Sequence, residues 1–322
     1  MCKNFSMIGM NINSRVLEQF KRALLPGMAK TDPHGIGCME YSEKGVHVER
    51  WDNPRDAFKH RRVLSKEDHA ALQAYPMLRV EEVYNTTGTK GKAPYAMAMH
   101  SRFATTPRGM KNLHPFKHGD TYLQHNGIVD TTDLILKTST CDSEGILNAY
   151  VDNRVNEKLD NLRGMIDKLH GYYACIVFSK DKAGMPIVDV FKSSAAKLYL
   201  CYISSVKAWV FITETSILSS ACRAMGWKHG KFYSVPAGVL IRHDAATGEV
   251  IEYKAFNEAS PRYQQYSSKY TAVHEIEKDK ALMQGTLIDE SWTSKNATDE
   301  DWADVQDNAL YASDVQPLHR SK

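Results

Sequence analysis

HSRFATTPRGMKNLHPF, residues 100–116, is followed by LQHNGIVD at Leu123–Asp130 and by CDSEGI at Cys141–Ile146. The first two segments continue apolar runs, Tyr95–His100 and Thr121–His125, that read as strands, so their polar residues fall where strands end. Chemistry placed at a strand end is held rigidly while remaining open to solvent. Four histidines, His100, His114, His118 and His125, crowd this region. No carboxylate or cysteine completes a ligand set at convincing spacing, so the histidines read as hydrogen-bonded structural groups and no metal is expected. Asn126-Gly127 is also the commonest hairpin turn pair, and on local sequence alone a plain turn explains it.

Cys2 is the second informative position. Removal of Met1, usual before a small side chain, would leave a thiol and a free α-amine on one residue. The thiol titrates near 8.5 and the amine near about 7.7–8.0, so around neutrality part of the amine is free to take the thiol proton. One amino acid would then carry both nucleophile and base.

The rest of the composition narrows the field. With 41 Lys and Arg against 38 Asp and Glu, spread along the chain, there is no basic footprint for nucleic acid. No run approaches the roughly 18–20 apolar residues that cross a bilayer, and the N-terminus lacks a basic segment followed by an apolar one. The expectation is a cytoplasmic protein that binds neither membrane nor nucleic acid. Six dispersed cysteines, without a C-x-x-C pair, fit a reducing compartment better than a disulfide framework.

Along the chain, Phe5–Asn11 reads as an apolar strand and Ser14 opens a helix with Val16, Leu17, Phe20, Ala23 and Leu24 on one face. Further strands are expected at Ile36–Tyr41, Val46–Arg50, Tyr172–Ser179, Ile187–Lys192, Leu198–Ser204, Trp209–Thr213, Gly238–His243 and Val250–Phe256. Helices are expected at Lys66–Ala74, at Ser143–Leu169 with a break near Gly164, and at Ile217–Met225. Strands and helices come in blocks without regular alternation, which makes the class α+β. Residues 1–256 read as one domain and 257–322 as an extension, whose segment Ile288–Asp307 is acidic and carries Trp292 and Trp302. That segment reads as a solvated tail or, through its tryptophans, as a docking element.

Taken in order, the motifs resemble the class II glutamine amidotransferases, whose N-terminal-nucleophile domain heads glucosamine-phosphate synthase, amidophosphoribosyltransferase and asparagine synthetase. The likeness covers most of the first 256 residues. It rests on Met-Cys at the start, His-x-Arg-aromatic-x-Thr from His100, Asn-x-His-Pro-Phe from Asn112, His-Asn-Gly from His125 and Cys-Asp-Ser-Glu from Cys141. LHGYYACIVFS from Leu169 is similar to the family's core strand, and DPHGIGC from Asp32 to its Gly-rich early strand. Departures mark a divergent member: Lys3 stands where Gly is frequent, Phe103 where Trp or Tyr is, and Thr106-Pro107 where His-Gly or Ala-Gly is.

The resemblance implies a four-layer αββα sandwich, two antiparallel sheets between helical layers. It makes Cys2 the nucleophile, with Asn126 and the Gly127 N–H as oxyanion hole. Arg102 becomes the clamp on the glutamine carboxylate, for which two parallel guanidinium donors suit and an ammonium does not. Asp142 becomes the partner of the α-ammonium, although locally it would serve equally as a helix N-cap. Thr105 would position the Cys2 amine or the substrate, or sit as an ordinary strand residue. The implied reaction is hydrolysis of the glutamine side-chain amide through a γ-glutamyl thioester, with no cofactor. Residues 257–322 are fewer than usually build a catalytic domain, so the ammonia acceptor is expected on another polypeptide. The alternatives are hydrolysis of another γ-glutamyl amide, or a catalytically silent scaffold of the same fold.

Overall fold

The computed structural model describes residues 2–10, 12, 14–29, 34–42, 45–51, 94–103, 110–154 and 158–259. The helix expected at Lys66–Ala74, Thr105, Pro107 and the acidic segment Ile288–Asp307 lie outside them. The strands are β1 (Lys3–Ile8), β2 (Ile36–Ser42), β3 (Gly45–Trp51), β4 (Ala96–Ser101), β5 (Phe116–His118), β6 (Thr121–Val129), β7 (Gly171–Lys180), β8 (Pro186–Lys192), β9 (Tyr199–Ile203), β10 (Ala208–Ile212), β11 (Tyr233–Ser234), β12 (Val239–Asp244) and β13 (Val250–Ala255). The helices are α1 (Ser14–Ala29), α2 (Asp142–Asn153), α3 (Leu159–Ile166) and α4 (Thr215–Met225).

The strands form two antiparallel sheets, in the orders β11-β9-β10-β1-β4-β2-β3 and β13-β12-β8-β7-β6-β5. Three apolar layers hold them together. Leu17, Phe20 and Leu24 of α1 and Ile217, Leu218 and Ala221 of α4 pack on Phe5, Met7, Met97 and Val210 of the first sheet. Ile146 and Tyr150 of α2 and Leu162 and Ile166 of α3 pack on Leu123, Tyr173, Val177 and Leu240 of the second. Between the sheets lie Ile8, Met39, Ala98, Ala174, Ile176, Phe178 and Val190. The order is helix, sheet, sheet, helix, so the α+β class and the αββα architecture are as the sequence implies.

β1 explains how the site is positioned. It is flanked by β10 and β4, and Asn4 through Ile8 are buried, so the strand is apolar on one face and mixed on the other. Phe5 and Met7 point to the helices, whereas Asn4, Ser6 and Ile8 point to the second sheet. At that inner face the Asn4 side-chain amide donates to the Ala174 carbonyl at 3.3 Å, and the Ser6 hydroxyl donates to Gln124 Oε1 at 2.7 Å. The inter-sheet layer is therefore apolar beyond Ile8 and polar towards Cys2. Side-chain hydrogen bonds buried there fix the separation of the sheets next to Cys2.

Several boundaries differ from the sequence reading: β11 is an additional short strand, and β6 runs past the expected end at His125 through Asn126 and Gly127 to Val129, so this Asn-Gly pair is strand and not a hairpin turn. The long helix expected at Ser143–Leu169 breaks between α2 and α3 and runs through Gly164, where an added Cβ would meet nothing within 4 Å. An outward glycine costs a helix only about 1 kcal/mol and does not stop it. The break instead lets α2 be anchored by Tyr150 while α3 turns its own apolar face onto the sheet: the Tyr150 hydroxyl donates to Asp189 Oδ2 at 2.5 Å, and Arg242 grips the same carboxylate with two bonds of 2.8 Å. The short strand β5 was not anticipated; it pairs Phe116–His118 with Leu123, Tyr122 and Thr121.

Candidate active site

Cys2 immediately precedes β1, and the β1–β4 register, with Lys3 opposite Ser101, brings it level with Arg102. The Phe103 N–H donates to the Cys2 sulfur at 3.2 Å, and the thiol donates back to the Phe103 carbonyl at 3.4 Å. The two contacts hold the sulfur against the Phe103 backbone. Cys2 is also partly exposed, whereas the other five cysteines are buried. Burial pushes the thiols of Cys38 and Cys222 up to about 12 and that of Cys141 to about 11, leaving them inert.

Asn126 reaches the same residue from the second sheet: its side-chain N–H donates to the Cys2 carbonyl at 2.8 Å. An amide nitrogen has two donors, so this bond locates the group beside Cys2 and leaves one N–H for another acceptor. The direction of the Gly127 N–H follows from the ladder. The Asp130 N–H bonds the His170 carbonyl across the strand pair, and the Val129 N–H bonds Asp142 Oδ2 at 2.8 Å. Alternation along β6 then sends the Gly127 N–H to the Val129 side, away from β7. β5 does not extend there, since its pairing ends at Leu123. Gly127 has φ +154°, and a Cβ on it would stand 2.1 Å from the Tyr172 carbonyl oxygen, so glycine is demanded by both backbone angle and close approach.

Asp142 is the first residue of α2 and follows Cys141 at the cap position. One carboxylate oxygen accepts the Val129 N–H, and the other accepts the Ser143 N–H at 2.9 Å and lies 3.8 Å from His125 Nδ1. It thus ties the helix start to the end of β6, which a simple cap would not do. Arg102 is 3% exposed, with its N–H on the Gly35 carbonyl at 2.9 Å. Its charge helps to depress the buried His100 and His114.

Those histidines form the support behind the site. Ser143 Oγ lies 3.0 Å from both His114 Nε2 and His125 Nδ1, and the His100 and His114 rings stack with centroids 3.9 Å apart. Burial, then the neighbouring His125 and Arg102, lower His100 to about 3; burial takes His114 well below its ordinary range and lowers His125 against the pull of Asp142. All three are neutral at pH 7. Gly37 admits the loop that carries His114, since a Cβ there would stand 1.7 Å from the His114 carbonyl oxygen. Among the described residues, no three His, Cys, Asp or Glu side chains converge as ligands for a metal ion.

The structure therefore brings the Asn126 side chain and the Phe103 backbone into direct contact with Cys2, with Gly127 next along β6, Asp142 at the start of α2 bonded to Val129 of β6, and Arg102 opposite Cys2. Sequence reading missed the Phe103 N–H, which no side-chain motif reveals, and the bridging role of Ser143. Among the described residues, no helix is long and apolar enough to cross a membrane.

No protein-family model and no curated protein matches the chain. Solved structures do. Glutamine phosphoribosylpyrophosphate amidotransferase from B. subtilis, complexed with ADP and GMP, aligns with a TM-score of 0.52 at 14% identity. A structure of the allosteric regulatory enzyme of purine biosynthesis aligns with 0.53 at 15%. Each alignment covers 80% of this chain and 49% of the other, so the chain spans about half the length of these neighbours. At that identity the likeness establishes the fold alone: the two-sheet αββα sandwich described above is shared with these enzymes.

Proposed function

We propose that the protein is a glutamine amidotransferase of class II that hydrolyses the side-chain amide of glutamine through Cys2. The observation that carries the reading is the convergence on Cys2 of the Phe103 N–H, at the sulfur, and the Asn126 side-chain amide, at the carbonyl. Loss of Met1 frees the α-amine, which takes the thiol proton. The thiolate adds to the carboxamide carbon, and the oxyanion is met by the second Asn126 N–H and by the Gly127 N–H. Collapse of the adduct breaks the C–N bond, the α-ammonium returns its proton, and ammonia leaves a γ-glutamyl thioester. Water, deprotonated by the same amine, adds to the thioester and releases glutamate and the thiol.

Arg102 holds the substrate carboxylate and Asp142 its α-ammonium in this reading, and Thr105 orients the amine or the substrate. No cofactor takes part in the sequence. The ammonia passes to an acceptor enzyme on a separate chain. Release of ammonia and glutamate in equal amounts from glutamine, abolished by Cys2→Ala, tests the assignment. Glutamine left intact by the wild-type protein, or turnover surviving in Cys2→Ala above a few per cent, contradicts it.

A further inference from the structure

Tyr172 reads in sequence as part of a buried core strand, yet the register places it in the site. β7 pairs with β6 as Asn126 opposite Ala174, Gly127 opposite Tyr173 and Ile128 opposite Tyr172. Cross-strand partners share a face and successive residues alternate. Ala174 and Ile176 lie in the layer between the sheets, whereas Tyr173 and Cys175 lie in the outer layer under α2 and α3. Tyr172 therefore projects between the sheets, on the face that carries Asn126. It is partly exposed there, whereas Tyr173 is 1% exposed.

β6 sets its position relative to the reacting groups. Asn126 contacts Cys2, the Val129 N–H contacts Asp142, and Ile128, the partner of Tyr172, lies between them. Three residues of strand span about 10 Å, a separation that a five-carbon amino acid bridges with a covalent contact at one end and a hydrogen bond at the other. Burial raises the Tyr172 phenol, and the negative charges of Cys2 and Asp142 raise it further, so the hydroxyl lies within electrostatic reach of both and stays protonated. Asp142, meanwhile, already accepts two backbone N–H groups. A substrate ammonium carries three donors, more than the remaining lone pairs of one carboxylate meet in good geometry.

We infer that Tyr172 contacts the substrate: its hydroxyl accepts a hydrogen bond from the α-ammonium beside Asp142, and its ring lines the path of the methylene chain from Cys2. This rests on the reading of the site as one for glutamine. Tyr172 then selects for a free α-amine, and γ-amides lacking that amine forgo the contact.

Calorimetric binding with the non-reacting Cys2→Ala protein separates this inference from the reading beneath it. Glutamine and glutaric acid monoamide, its analogue without the amine, are titrated into Cys2→Ala and into Cys2→Ala carrying Tyr172→Phe. Glutamine is expected to bind about tenfold more weakly when the hydroxyl is removed, the scale of a hydrogen bond to a charged group, with the amine-free analogue unaffected. An equal loss for both ligands marks a structural role and overturns the inference, as does unchanged glutamine binding. If Cys2→Ala binds neither ligand, the glutamine reading fails and Tyr172 loses its assigned partner with it.

Discussion

Gly127→Ala puts a methyl group where the β6–β7 pair leaves no room. The new carbon would stand 2.1 Å from the Tyr172 carbonyl oxygen and 2.8 Å from both Tyr173 Cα and His125 Nε2. Favourable contacts begin at about 3.5 Å, so the strands must part by roughly 1 Å. The nearest obstacle is backbone, which no rotamer change relieves. The φ of +154° adds a strain of about 1–3 kcal/mol for any residue with a Cβ. With the lost packing of the separated strands, the total comes to roughly 3–5 kcal/mol, within the tail reserved for strained and overpacked sites. At about 2–4 °C per kcal/mol for a domain of this size, the melting temperature falls by on the order of 10 °C. Denaturant unfolding gives the energy, and a glutamine-analogue electrophile on the folded variant reports the site, since Asn126 is carried on the displaced strand. A variant within about 1 kcal/mol of wild type that still labels at the wild-type rate refutes the argument that the site requires glycine here.

In the proposed mechanism Asn126→Ala removes an oxyanion donor, so it is expected to lower kcat by about 10²–10³-fold with little change in KM; a pure KM effect in steady-state assays contradicts the role. Arg102→Lys and Asp142→Asn each spoil one half of a charge-matched clamp and are expected to raise KM for glutamine by tenfold or more, about 1.4 kcal/mol, whereas normal KM in both overturns their assignment. Glu144 gives a pH test. Burial alone would raise its carboxyl, but the Ser139 N–H and the Thr138 hydroxyl and N–H outweigh burial and hold it at about 2. The folded value lies below the unfolded one, so the stabilisation, on the order of 2–3 kcal/mol, is complete above about pH 4.5 and is lost as pH falls towards 2. Denaturant midpoints of wild type and Glu144→Gln should therefore differ at pH 7 and converge on acidification; a difference that persists at pH 2 contradicts the account.

The sheet architecture was legible because most strands obey simple rules. Ala96, Ala98 and His100 face the second sheet while Met97 and Met99 face the helices, and the boundaries read from sequence fall within a few residues of those observed. The candidate site was legible as an ordered set of motifs, of which Cys2 and Asp142 fall just before a strand and at a helix start, while Asn126 and Gly127 lie inside β6, further along the strand than the sequence reading placed its end. Features set by tertiary contact were not legible. Gly164 offered a local reason for a helix break, but the break lies where α2 is held by Asp189 and α3 turns to pack separately. β5 is three residues long and leaves no periodic signal. Tyr172 sits beside Tyr173 in one apolar run, and only the register with β6 reveals that they face opposite layers. The Phe103 N–H is a backbone group, invisible to any reading of side chains.

The central claim, an N-terminal cysteine nucleophile in a glutamine site, is tested most directly by one mass-spectrometric experiment. The purified protein is incubated with a glutamine-analogue electrophile, its intact mass is measured, and the modified peptide is mapped. The account predicts a single adduct on a chain that has lost Met1, located on Cys2 and suppressed by excess glutamine. A protein that retains Met1 and still reacts in this way, or an adduct on another cysteine, or none at all, would contradict it.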